Sequence, residues 1–232
     1  MLDDTLIVVT SGNGGDTALD PETNTPLRGG KFTLWEGGAR VPVVIQGRMV
    51  RFGGRSHRDL FHAVDWVPTL LHAAGIHPSK FRPSLDGISH WNAFLGSTKQ
   101  AYSREEILYN IDNKSAAIRV GDYKLILGNP VEKSYQFSMS ELDINPSCAR
   151  YRTSILASKQ ENCYSKFESE MLFDVAEDPS EETSILKYLG RIGLLLEKKL
   201  DGYMQEVVPP QSEKSHENTV DLKDGTLYPG WC

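Results

Sequence analysis

Cysteine is scarce in this chain, and long apolar runs are missing from it altogether. The 232 residues include three cysteines, Cys148, Cys163 and Cys232. So few, and an odd number, exclude a fold stapled by a dense disulfide framework. Cys148 and Cys163 lie in a polar stretch where a local disulfide fits an oxidising compartment, and three reduced thiols fit a cytosolic chain nearly as well. Cys232, the last residue, is then either unpaired or bonded to another chain. No apolar run approaches the roughly 20 residues of a membrane-spanning helix, so no membrane span is expected. The start, Met1-Leu2-Asp3-Asp4-Thr5, is acidic and lacks the basic opening and long apolar stretch of a signal peptide. Long basic segments are also missing, and the net charge is -6. That balance argues against nucleic acid or another polyanion as the main partner.

What remains has a globular composition, with 39% hydrophobic and 24% charged residues. The length suits one good-sized domain, or a domain with an appendage. Thr5 to Thr10 is a short continuous apolar run closed by Ser11-Gly12-Asn13-Gly14-Gly15. Such a run predicts a buried strand of a parallel sheet, with the glycine-rich loop at its carboxyl end, where ligands collect in open α/β sheets. Val41 to Ile45 is the next strand-like run. Asp59 to Ala74 carries Leu60, Phe61, Val64, Val67, Leu70 and Leu71 at helical spacing, with Asp65 placed to cap and Pro68 in the first turn. His57, His62 and His72 lack the i, i+4 spacing of a helical metal pair and read as solvated or core-edge side chains.

Residues 91 to 95 predict a small helix. Ala116 to Leu127 reads as two strands across a Gly121-Asp122 turn, and Met171 to Val175 as a third strand. Ile185, Leu189, Ile192, Leu196, Leu200, Tyr203 and Val207 recur at three and four, predicting an amphipathic helix over 182–207. Pro209-Pro210 ends it, and the tail is expected to be loop. Asn113-Lys114-Ser115 is an N-glycosylation sequon.

Between the first two strand-like runs lies Pro26-Leu27-Arg28-Gly29-Gly30-Lys31-Phe32-Thr33-Leu34-Trp35-Glu36-Gly37-Gly38-Ala39-Arg40. Glycine pairs on either side of Lys31 suit a tightly turned backbone with an ammonium at its apex, an arrangement fit for an oxyanion. The string P-L-R-G-x-K-x-x-x-W-E-G-G-x-R resembles the sulfatase family, its arylsulfatase B-like branch most closely. So do the run His57 to Leu71, the Leu85-Asp86-Gly87 segment and the turn Leu172-Phe173-Asp174…Asp178-Pro179-Ser180-Glu181.

The resemblance covers nearly the whole chain but only the C-terminal portion of a typical member. It implies an α/β fold: the C-terminal part of an alkaline-phosphatase-like sheet over 1–100, and a small antiparallel β subdomain with a packed helix over 101–232. It implies sulfuric ester hydrolysis, in a lysosomal or secreted setting, by a formylglycine made from the cysteine of C-x-P-x-R, with calcium on the sulfate oxygens. That nucleophile motif is not in the sequence; Cys148-Ala149-Arg150-Tyr151-Arg152 lacks its proline. No catalytic residue is therefore assigned, and the chain alone is expected to be inactive.

The resemblance gives Lys31 the role of holding sulfate. It makes Asn13 a calcium ligand from the family's T-D-N-G-G, with Gly12 in the aspartate's place. Glycine offers no side-chain oxygen, so the calcium site is expected to be weakened or absent; Asp16 reads as a solvated acid. Trp35 is expected to pack the loop on the sheet, and Glu36 to pair with Arg28 or Arg40 or to cap a turn. The other reading is a non-catalytic protein that binds a sulfated glycan. A partner chain would then cover the apolar surface left on the Thr5–Thr10 strand, and without such cover marginal stability or self-association is expected.

Overall fold

The computed structural model describes residues 4–16, 23–50, 53–82, 85–96, 103–111, 115–130, 169–207, 220–223 and 226–229. Cys148, Cys163, Cys232, the sequon Asn113 and Pro209-Pro210 lie outside the described residues.

The best-buried part is a four-stranded antiparallel sheet in the order β3-β4-β5-β6. Its strands are β3 (Glu106–Ile111), β4 (Ser115–Val120), β5 (Tyr123–Gly128) and β6 (Glu170–Asp174). The predicted hairpin forms β4 and β5, and Gly121 takes a φ of +58° that glycine adopts without a Cβ penalty. Alternation then sends side chains to two faces. Ala116, Ile118, Leu125, Leu127 and Leu172 point to Leu196 and Leu200 of helix α4 (Gly190–Met204). Ala117, Ile126, Met171, Phe173 and Val175 point the other way, to Trp35. The sheet is thus covered by a helix on one face and by the Pro26–Arg40 loop on the other. Tyr203 of α4 ties back to the sheet, donating to Glu106 Oε1 at 2.7 Å.

Helix α4 starts later than the apolar spacing predicts. Residues 183–186 run beside β6 instead: Ile185 N donates to Leu172 O at 2.8 Å, and Leu172 N donates to Ser184 Oγ at 3.2 Å. Ile185, Leu186 and Leu189 still pack on the core, so their period reports burial rather than helix. The tail differs from expectation too, pairing β7 (Val220–Lys223) with β8 (Thr226–Pro229) antiparallel.

Toward the N-terminus, β1 (Ile7–Thr10) pairs antiparallel with β2 (Val43–Gln46). This corrects the expected buried, parallel strand. A parallel partner needs a crossover connection, whereas the described residues between β1 and β2 form loop with one helical turn, α1 (Glu36–Ala39). The ribbon is exposed: Val9 and Val44, directly opposite one another, are 59% and 60% accessible.

Helix α2 (Trp66–Ala73) is also shorter than expected. Leu60 forms an isolated antiparallel bridge with Arg104, and Ala63–Asp65 form a 3₁₀ turn capped by His62. A one-turn helix, α3 (Trp91–Phe94), follows.

Candidate functional site

Two loops meet at the carboxyl end of β1. Gly14 N donates to Gly38 O at 2.9 Å, and Lys31 N donates to Gly15 O at 3.0 Å. Asn24 binds them together, accepting from Gly15 N at 2.8 Å while its Nδ2 reaches Gly15 O and Gly29 O at 3.0 Å each. The glycines permit the approach. A Cβ on Gly14 would lie 1.6 Å from Gly37 O, and one on Gly38 would lie 2.4 Å from Gly30 O.

Lys31 is half-buried at this junction, its ammonium 4.8 Å from the centre of the Phe32 ring. Asn13 is exposed, and its Nδ2 donates to Gly14 O at 2.6 Å. Around Gly12 a Cβ would meet nothing within 4 Å, so a side chain there is sterically free. Among the described residues no group of three or more His, Cys, Asp or Glu side chains is arranged to hold a metal ion. Calcium takes roughly 6–8 oxygens. The side-chain oxygen of Asn13, beside a glycine, does not by itself amount to such a site.

Beneath the loop lies a buried charge network. Arg28 stacks its guanidinium 4.0 Å from the Trp35 ring and donates to Glu181 O at 3.1 Å. Trp35 meets Phe173 edge-on at 5.8 Å, packing the loop on the sheet as expected. Glu36 pairs with Arg40, one of the expected alternatives, but its closer partners come from the sheet. Lys124 Nζ lies 3.0 Å from Oε1, Tyr109 OH donates to Oε1 at 2.7 Å, and Arg119 sits 3.6 Å from Oε2. Arg40 stands at 4.0 Å, and Arg28 serves Glu181 instead. A shift of register between Leu108 and Asn110 brackets Tyr109, the bulged residue of β3.

Lys124 is shared. Its Nζ is also 2.9 Å from Glu181 Oε1, while Glu181 Oε2 accepts from Glu36 N at 2.6 Å. Burial pushes the Glu36 carboxyl up, but Lys124, Tyr109 and Arg119 outweigh it and hold the group below its ordinary range. At Glu181 burial wins over the same lysine, and that carboxyl is raised. One ammonium thus supports one firmly ionised carboxylate and one that binds a proton more readily. The sequence does hint at this network: Lys124 opens the otherwise apolar Lys124-Leu125-Ile126-Leu127, and Glu181 closes the Asp178-Pro179 turn.

A second cluster centres on Asp65. It occupies the position before α2 but makes no side-chain cap to that helix. Instead, its carboxylate accepts from His62 N and Ile88 N at 2.8 Å each and takes Arg104 in a two-pronged pair at 2.6 and 2.8 Å. Burial opposes ionisation there, yet these donors hold the carboxyl well below the usual range. His90 is fully buried, with Nε2 3.5 Å from Asp65 and Nδ1 3.2 Å from His57 Nε2. His72 pairs with Ser89 at 2.9 Å, and His62 caps its own turn by accepting from Val64 N at 3.3 Å. The three histidines named from the sequence are thus engaged locally. No signal in the sequence singled out His90.

The family model described as Sulfatase matches residues 1–76. Arylsulfatase J of Mus musculus is 26% identical over 247 aligned residues, covering 97% of this chain and 39% of that protein. A protein described as Sulfatase from Formosa agariphila is 34% identical over 90 residues, covering 38% of this chain and 16% of its own length. Among solved structures, Ps i-CgsB in complex with k-i-k-neocarrahexaose superposes with a TM-score of 0.62 at 22% identity, over 90% of this chain and 38% of that one. The PsFucS1 sulfatase from Pseudoalteromonas sp. gives 0.60 at 21% identity, over 88% and 37%. These likenesses to solved structures establish the fold. The chain spans about two fifths of Arylsulfatase J and of these structures.

Proposed function

For this sulfatase-family chain, we propose a role as the C-terminal portion of a sulfuric ester hydrolase, one that binds sulfate through Lys31 and does not complete the reaction alone. The observation that supports this reading is the stitched junction of the two glycine-rich loops, which pins the backbone of Lys31 to Gly15. A fixed backbone with a cationic side chain suits a tetrahedral oxyanion, because little ordering remains to be done on binding. Hydrolysis needs a nucleophile, which the family draws from C-x-P-x-R, a motif this sequence does not contain. Asn13 would be one ligand of a calcium site whose other donors come from outside this stretch. A lysosomal or secreted setting accompanies the reading, and no described helix is long and apolar enough to cross a membrane.

A second reading, binding without catalysis, is favoured by the exposed β1–β2 ribbon. Ile7, Val9 and Val44 share one face of it and are all open to solvent. We propose that a further α/β segment, from the same or another polypeptide, covers that face. One titration tests the lysine. Sulfated monosaccharide added to the full chain is expected to bind with millimolar affinity, and Lys31→Ala to weaken it at least tenfold. Equal affinity in the two proteins would remove Lys31 from the site.

A further inference from the structure

The loop that carries Lys31 closes on Glu181. This glutamate is fully buried, and its φ of +53° is one that a non-glycine residue seldom adopts. Such backbone strain persists where the surroundings over-determine it, and at Glu181 they do. Within its own turn, Glu181 N donates to Asp178 O at 3.1 Å, and the Asp178 carboxylate accepts from Glu182 N and Thr183 N at 3.1 and 2.9 Å. The turn so fixed presents two parts of Glu181 to the loop. Its side-chain Oε2 accepts from Glu36 N at 2.6 Å, and its main-chain oxygen accepts from Arg28 Nη1 at 3.1 Å. Arg28 and Glu36 lie on either side of Lys31 in the sequence. Gly37 N donates to Arg28 O at 2.8 Å, so the two ends of the loop also meet each other. A Cβ on Gly37 would lie 2.4 Å from that same oxygen.

We infer that Glu181 is a positioning residue for sulfate binding: by clasping both ends of loop 28–37, it sets where the Lys31 ammonium stands. This rests on Lys31 being the sulfate-binding residue. The bond to Gly15 ties Lys31 to the loop after β1, but the β1–β2 ribbon is exposed and, among the described residues, a lone strand pair. The enclosed four-stranded sheet is the firmer frame. Glu181 lies in the turn that follows β6 of that sheet, and its Oε1 is 2.9 Å from Lys124 Nζ of β5. A loop released from Glu181 keeps its lysine but must be ordered again when an anion binds, and that ordering is lost from affinity. The clasp itself needs an acceptor oxygen facing Glu36 N; it does not need a charge.

The experiment compares the full chain, unmodified, with Lys31→Ala, Glu181→Gly, and Lys124→Met combined with either Glu181→Gln or Glu181→Met. Glycine accepts the positive φ without penalty, so Glu181→Gly reports the missing side chain, while Lys124 keeps Glu36 as its partner. In the double variants no ammonium faces position 181. Glutamine there still offers an oxygen to Glu36 N, whereas methionine fills similar space and offers none. Each protein is titrated by NMR with the sulfated monosaccharide, and amide exchange is followed at Glu36 and at Ile126 of β5. Glu181→Gly and the double variant with Glu181→Met are expected to bind about tenfold more weakly, the counterpart of ~1.4 kcal/mol. In both, exchange should quicken more at Glu36 than at Ile126. The double variant with Glu181→Gln should bind within about twofold of the unmodified chain, although it melts lower. Unchanged affinity in Glu181→Gly beside weakened binding in Lys31→Ala overturns the clasp and leaves the lysine reading standing. Equal weakening in the two double variants overturns it as well, because the loss then follows the charge pair. If Glu181→Gly does not fold, the two double variants decide alone. Binding unaffected by Lys31→Ala overturns the lysine reading, and this inference with it.

Discussion

The β1–β2 ribbon and the β4–β5 hairpin are made of the same material and have opposite fates. Ile7-Val8-Val9-Thr10 against Val43-Val44-Ile45-Gln46 is at least as aliphatic as Ser115 to Val120 against Tyr123 to Gly128. Yet Val9 and Val44 face solvent, while Ala117, Ile118, Ile126 and Leu125 are buried. The difference lies in what covers each pair. The hairpin has a strand on either side, α4 over one face and the Trp35 loop over the other. Among the described residues the ribbon is a lone two-stranded sheet. An isolated pair of this kind is marginal in water. Apolarity thus states what a strand needs covered, and the cover must come from elsewhere.

The contrast breaks most severely at the buried charges beneath the loop. Lys124→Met would leave two buried carboxylates without their ammonium and is expected to cost about 3–5 kcal/mol in urea unfolding. Adding Glu36→Gln and Glu181→Gln to the same protein should recover more than half of that loss. A triple variant no more stable than the single one would show that the network's charge pairing is not what matters. Next comes the apolar core of the same sheet. Leu172→Ala should cost about 2–5 kcal/mol, since Leu172 is fully buried between strands and helix.

Smaller effects come from pH. Burial lowers the proton affinity of His57, so the folded chain binds that proton less readily than the unfolded one. Stability linked to His57 is fully present above its ordinary titration range near pH 6.5 and declines as pH falls through it. For Asp65, also depressed, stability is present above about pH 4 and lost below it as the Arg104 pair is protonated away. Unfolding measured from pH 3 to 8 should show both declines, and His57→Asn should flatten the upper one. Least of all should Val9→Thr matter. Its effect on monomer stability is expected within about 0.5 kcal/mol, while self-association, read by sedimentation, should weaken. A large loss of stability instead would mean that this face of the ribbon is covered in solution.

Local chemistry made part of this molecule legible in advance. The Gly121-Asp122 turn joins two alternating runs, and the strand at Met171 is bounded by polar residues. Each is decided by residues a few positions apart. Trp35 was also legible, because a large aromatic in a glycine-rich loop must be buried against something. The helix ends were not. Ile185 and Leu189 keep helical spacing, but the Leu172 backbone offers hydrogen bonds that draw 183–186 alongside β6. Asp65 sits where a cap belongs, yet Arg104, His62 and Ile88 use its oxygens.

By itself, then, the sequence determined the family resemblance, the loop motif that carries Lys31, and the short elements whose signals are local in the chain. Tertiary structure alone decided that Glu36 would meet Lys124 and Tyr109 across 88 and 73 positions. It also decided that Asp65 would serve Arg104 and the turn before α2 rather than cap α2 itself, and that one apolar strand pair would be enclosed and the other left open. The physical reason is common to all three. Burial and charge pairing depend on which surfaces arrive from far along the chain, and no local pattern encodes that arrival.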